Sequence, residues 1–135
     1  MIVNAHGGNQ VLSNVVQTAN AHTPGSMTLF PTRADSDTAR RGAGLESSAH
    51  VDMHAGELEV SLLAATVPDV IRDGPRDQDH TADDRNLLLV HGMSAYTGSG
   101  VIGRPSAAAT AKGAAVLDSL TRSFRDHLRA VDQQL

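Results

Sequence analysis

Hydrophobic positions along this chain change their period several times, and each change marks an element. The opening run Met1-Ile2-Val3-Asn4-Ala5 stops at His6-Gly7-Gly8-Asn9, which predicts a short buried strand ending in a tight glycine loop. From Asn9 to about Ala21, Leu12, Val15, Val16 and Ala19 recur at helical spacing, with Asn9 placed to cap the first turn. Ser26 to Phe30 reads as a second strand closed by Pro31. The opening is therefore a strand-helix-strand unit with a right-handed crossover, which points to an α/β sheet protein. A core strand ordinarily has earlier sequence covering one of its faces, and this one begins at the first residue, so a truncated or split chain is expected.

Thr32 to Ser48 is polar and without clear period, a long loop or a partly helical excursion. Leu58, Leu62, Leu63 and Ala65 then predict a helix from about Gly56 until Pro68 stops it. Arg72 to Arg85, mostly charged with Gly74-Pro75 inside it, reads as surface loop, and Leu87 to Val90 as a brief strand. Gly98 to Pro105 is turn-rich. From Ser106, a possible N-cap, a terminal helix is expected with Val116, Leu117, Leu120, Phe124, Leu128 and Val131 as one apolar stripe. No solenoid repeat or low-complexity tract interrupts this, so the 135 residues read as one domain.

Composition narrows the chemistry. The apolar share is carried by Ala, Val and Leu, with Phe30, Tyr96 and Phe124 the sole aromatics, and small side chains of this kind suit close helix-on-sheet packing. A net charge of -4 with one lysine, Lys112, offers no basic stripe for nucleic acid or for a membrane surface. No cysteine is present, so a metal would be held by histidine and carboxylate. No apolar run is long enough to span a bilayer and no secretory leader opens the chain, which makes a cytoplasmic protein the expectation.

Two constellations could carry chemistry. His6 stands at the C-terminal end of the first strand, where open α/β sheets place ligands, and Gly7 and Gly8 clear space beside it. On position alone the same glycines equally serve a sharp turn with His6 solvated at its rim. In the second, His54 precedes a helix whose first turns hold Glu57 and Glu59. Carboxylates there complement the helix dipole and need no catalytic explanation. Glu59 lies about 140° from His54 on an ideal helix, so the two converge only if His54 sits in the preceding loop, a bend that Gly56 permits. An imidazole beside a carboxylate can deliver a proton to a leaving nitrogen. Without a cysteine or a Gly-x-Ser-x-Gly elbow, a metal-bound hydroxide is the expected nucleophile, with His6 among the ligands. His22, His50, His80, His91 and His127 have no comparable partners in sequence and are expected to be exposed or loosely packed. The aspartates 77, 79, 83 and 84 belong to a solvated loop without EF-hand spacing.

Three stretches, in order, resemble the creatininase family. Asn4-Ala5-His6-Gly7-Gly8-Asn9 is similar to its Asn-x-His-Gly-Gly-Asn motif, and His54-Ala55-Gly56-Glu57-Leu58-Glu59-Val60-Ser61 to its His-Ala-Gly-x-x-Glu-Thr-Ser segment, followed by Pro68. Gly100-Val101-Ile102-Gly103-Arg104-Pro105 and the alanine-rich helix after it resemble the closing region. The resemblance implies a three-layer α/β/α fold, here as its C-terminal portion, and a one- or two-metal centre of zinc, manganese or iron. It further implies hydrolysis of a non-peptide or peptide-like C-N bond in a homo-oligomer. It carries over His6 as a metal ligand, His54 as the catalytic or substrate-contacting histidine, and Glu59 as its acidic partner or a second ligand.

Three departures refine this. Gly8 stands where creatininases proper carry an acidic ligand, Val60 replaces a threonine, and no tryptophan is present for a substrate clamp. The formamide hydrolases of flavin and deazaflavin biosynthesis and the mycofactocin-associated peptidase are the relatives that remain. Family members place a glutamate, a histidine and an aspartate upstream of the His-Gly-Gly motif. The expectation is therefore a chain inactive alone, completed by a partner chain, or else a non-catalytic remnant serving as an interaction module.

Overall fold

The computed structural model describes residues 1–72, 74 and 77–132; Pro75 of the charged loop lies outside them. The fold is α/β: strands β1 (Ile2–Val3) and β2 (Leu29–Phe30) and helices α1 (Val11–His22), α2 (Arg33–Gly42), α3 (Glu57–Thr66), α4 (Leu88–His91) and α5 (Thr110–Asp132). The chain divides into two compact units, one of Met1–Thr38 with Asp118–Leu135, the other Ala39–Leu117.

In the first unit β1 and β2 pair in parallel, Ile2 opposite Leu29 and Val3 opposite Phe30, as a strand-helix-strand connection requires. The expected burial of β1 does not hold: Ile2 is half-buried and Val3 is 64% exposed, because among the described residues the sheet has two strands. Helix α1 turns Leu12, Val16 and Ala19 inward, while Val15 lies on its exposed side. The side chain of Asn20 ties the end of α1 to the chain entering β2, donating to the Met27 carbonyl at 2.7 Å and accepting the Met27 N–H at 3.1 Å. Asn9 does not cap α1; its amide donates to Asn4 Oδ1 at 2.8 Å, and the helix starts after Gln10 without a side-chain cap.

Phe30 is the apolar centre of this unit, edge-on to Phe124 at 5.2 Å and to the ring of His127 at 5.3 Å. His127 is not a loosely packed histidine. One ring nitrogen lies 2.9 Å from Asp35 Oδ2 and the other 2.8 Å from Thr28 Oγ1, so the ring joins α2, α5 and the residue before β2. Asp35 also accepts the N–H and hydroxyl of Thr32, whose own oxygen accepts the Asp35 N–H at 3.2 Å. This reciprocal capping box starts α2 in the region read as irregular. Burial raises the Asp35 pKa, and the Thr32 bonds together with His127 outweigh it, leaving the carboxyl below its ordinary range.

The second unit packs Ala39, Val60, Val101, Ile102, Ala108 and Val116 into its core, with Arg40, Ser47, Asp52, Glu57, Ser61 and Thr97 equally buried. Small residues do bring elements close here, helix against helix rather than helix against sheet. A Cβ at Gly113 would fall 1.9 Å from the Ser61 carbonyl oxygen, so only glycine lets α5 approach α3 this closely. Ser61 is fully buried and its hydroxyl accepts the Ala109 N–H at 3.1 Å.

Three expectations fail in detail. Leu88–His91 is a single helical turn, not a strand; its own Leu89 and Val90, and Leu87 before it, are exposed. Ser106 does not cap α5, which begins at Thr110; its N–H and hydroxyl both go to Asp79. Pro105–Ala107 is instead a 3₁₀ turn, and on α5 Leu117 and Leu128 fall outside the buried stripe that Val116 heads.

Candidate functional site

The His6 loop is held by its own side chains. Asn4 accepts the His6 N–H at 3.2 Å and donates to the His6 carbonyl at 3.0 Å, while Asn9 bonds back to Asn4. The exposed ring of His6 folds over the loop, its Nδ1 accepting the Gly8 N–H at 3.0 Å. A Cβ at Gly8 would meet the ring at 2.7 Å, so a larger residue there would push the ring off the loop. Because Nδ1 accepts a bond, its lone pair is engaged, and the neutral ring carries its proton on Nε2.

The His54 loop is built differently. His54 pairs with Ile102 in an antiparallel bridge: the N–H groups of Met53 and His54 both reach the Ile102 carbonyl, at 2.8 and 2.9 Å, and the Ile102 N–H returns to the His54 carbonyl at 2.9 Å. Ile102 is fully buried, so the bridge anchors His54 to the core while its own side chain stays exposed. Gly56 then packs against Gly103. A Cβ on Gly56 would fall 1.9 Å from Asp52 Oδ1 and 2.9 Å from the Gly103 Cα, which is why a glycine follows two residues after the histidine. Between them Ala55 adopts φ 54°, a left-handed conformation that costs a non-glycine residue about 1–2 kcal/mol.

Buried charges hold this loop. Asp52 caps α3, accepting the N–H groups of Glu57 at 2.6 Å and Leu58 at 3.0 Å, and pairs with buried Arg40 at 2.7 Å. Glu57 is fully buried and accepts the N–H groups of Glu46 and Ser47 and the ammonium of Lys112 at 2.7 Å. Burial raises the Glu57 pKa; the Lys112 bond and the two N–H donors outweigh it and lower the pKa to about 2. Lys112 is raised in return, chiefly by its bond to Glu57. Glu57 was read from its spacing only as a first-turn carboxylate, and nothing in the sequence joined it to Asp52, Arg40 or Lys112; the one usable signal was a lone lysine in a chain otherwise using arginine.

Glu59 is exposed, and its Oε2 accepts the Ala55 N–H. No hydrogen bond joins it to the His54 ring among the described residues, so the two predicted catalytic groups meet through the main chain. The remaining histidines are engaged elsewhere or exposed: His80 bonds the Tyr96 carbonyl at 2.7 Å, and His50 lies 3.9 Å from Asp83. The aspartates of the charged loop are likewise used singly, Asp79 on Ser106 and Asp84 on Asn86.

Among the described residues no three His, Cys, Asp or Glu side chains converge to hold a metal ion. His6 belongs to one compact unit and Glu59 to the other, and each unit taken by itself offers fewer donors than a divalent centre ordinarily uses. These residues do not by themselves fit a metal centre. No described helix is long and apolar enough to cross a membrane.

The family model for creatinine amidohydrolase, named Creatininase, matches residues 1–128. No curated protein and no solved structure matches the chain.

Proposed function

The chain belongs to the creatininase family, and from that premise we propose that it serves the hydrolysis of an amide or formamide-like C-N bond, with His54 protonating the departing nitrogen. One observation carries this reading: the His54 main chain is tied to fully buried Ile102 while its ring is exposed and has no hydrogen bond among the described residues. A proton donor needs that combination of a fixed origin and a free nitrogen.

Gly8 supports a place among the His-Gly-Gly-Asn members. With the His6 ring where it lies, a Cβ at position 8 collides with it, so an acidic side chain there would need the ring to turn away. The reading includes a divalent metal, zinc, manganese or iron, with His6 and further ligands from a partner chain or a second copy, in a cytoplasmic setting. His6 would have to release the Gly8 N–H to ligate through Nδ1.

The test is turnover of a panel of small formamides and N-acyl compounds by the purified chain with added divalent metal, together with a partner chain from a family member that supplies the further ligands, against His54→Ala. Hydrolysis that falls about a hundredfold in the variant is expected, in the range of a general-acid contribution. Hydrolysis indifferent to His54 would remove its assigned role. The second reading, a non-catalytic interaction module, is favoured by the exposed residues Leu87, Leu89 and Val90; a chain inert with every metal and with the partner chain present would favour it.

A further inference from the structure

Three constraints act on the loop that presents His54. The Ile102 bridge fixes the residues up to His54, and the Gly56–Gly103 contact with the Asp52 cap fixes the chain from Gly56 onward. Ala55 alone lies between these anchors, and it is in the left-handed region that L-residues avoid. Its N–H is directed to Glu59, four residues on and in the first turn of α3.

In an ordinary capping box the third helical residue reaches back to the N–H of the cap. With Gly56 as the cap, Glu59 is that third residue, yet it takes the N–H of the residue before the cap. The cap's usual tasks fall instead to Asp52, which serves the N–H groups of Glu57 and Leu58. Glu59 is thereby released from finishing the helix and assigned to the one residue whose conformation is unfavourable.

We propose that Glu59 is a positioning residue: through the Ala55 N–H it holds Ala55 left-handed and so sets the direction in which the His54 ring projects. It acts on the main chain next to the histidine rather than as the ring's acidic partner or a metal ligand. The inference rests on the reading of His54 as proton donor only for its consequence in catalysis; the lock itself is a property of the loop. It also accounts for the spacing of the motif, since a histidine five residues before a glutamate puts the intervening N–H at i,i+4 from the carboxylate.

The lock is tested on the full chain by hydrogen exchange of the Ala55 amide and by the NMR signals of the His54 ring in Glu59→Ala, Glu59→Gln, Ala55→Gly and the Glu59→Ala/Ala55→Gly double variant. Glu59→Ala should speed Ala55 exchange about tenfold or more and move the His54 signals. Glu59→Gln keeps an acceptor oxygen without charge and should stay within about threefold of the parent. Glycine occupies the left-handed region without penalty, so the double variant should return the His54 signals at least about half-way to those of Ala55→Gly. Equal disturbance by Glu59→Ala and Glu59→Gln, or a double variant that stays disturbed, would overturn the proposal and assign the carboxylate a role through its charge. None of these readouts needs turnover. A parent chain that leaves every formamide intact while the lock behaves as described would therefore remove the amidohydrolase reading alone.

Discussion

Two loops in this molecule carry a histidine followed by a small residue and then glycine, and they are held by opposite means. Around His6-Gly7-Gly8, the side-chain bonds that shape the loop run between Asn4 and Asn9, and the glycine at the third position clears the ring of His6 itself. Around His54-Ala55-Gly56, the glycine clears the backbone of a segment some fifty residues away, and the supports are Ile102, Gly103 and a buried pair of charges. The same three-residue pattern is a local turn in one place and a tertiary joint in the other. A loop of the first kind adjusts at small cost; a loop of the second kind moves only if the core moves with it.

The comparison is tested hardest by Asp52→Ala. This removes the partner of buried Arg40 and orphans the N–H groups of Glu57 and Leu58, so a loss of about 3–5 kcal/mol is expected, read from the midpoint of denaturant unfolding. Arg40 is 8% exposed and has the Ser47 carbonyl as its other acceptor, which one neutral bond cannot balance. A cost below about 1 kcal/mol would mean that the His54 loop is as local as the His6 loop, and the contrast would collapse.

Acid provides the next effect. Glu57 has its pKa lowered from an ordinary 4.5 to about 2, so its contribution to stability is complete above about pH 4.5 and is lost as pH falls through 2. Stability should decline across that window. Asp35 in the other unit is also lowered, so the experiment is made in an Asp35→Asn background, where the remaining decline reports mainly on Glu57. Lys112→Met should make the decline shallower and end it at higher pH, because burial, which raises the carboxyl pKa, then loses its strongest opponent and the folded-state value moves back toward 4.5. A decline of the same depth and span in both chains would exclude the Glu57–Lys112 pair as the support of this joint.

What could be read from residues alone follows the same division. The two parallel strands, α1, α3 and α5 were legible because their apolar residues recur at the period of the element, and the turns at the two motif histidines because a glycine follows within two residues where β1 ends or α3 begins. Helix α2 was legible only as one of two readings, a partly helical excursion or a loop, since polar residues fill it and its start signal, Thr32 with Asp35, is a capping box without an apolar run behind it. The strand expected at Leu87–Val90 failed because four apolar residues fit one helical turn as well as a strand, and no partner strand was available to decide. His127 was passed over because its partners, Thr28 and Asp35, are about a hundred residues away in sequence. Asp52, Glu57 and Lys112 are ordinary polar residues until the fold buries them together, and no spacing along the chain announces that.

The smallest effect belongs to the His6 loop and is the most informative about what that loop is for. Asn4→Ala deletes three of its hydrogen bonds at once, yet all three are exposed, so water replaces them and the unfolding midpoint should shift by less than about 1 kcal/mol. Gly8→Ala brings a Cβ within 2.7 Å of the His6 ring, whose far end is free to swing outward, so stability should again barely change. The ring should nevertheless lose the Gly8 N–H, and the His6 signals in an NMR spectrum should move toward those of a solvated histidine. A large stability loss in either variant would make the His6 loop a tertiary joint like its counterpart. A small loss with a displaced ring would leave it as a preformed but adjustable holder, free to turn Nδ1 toward another partner.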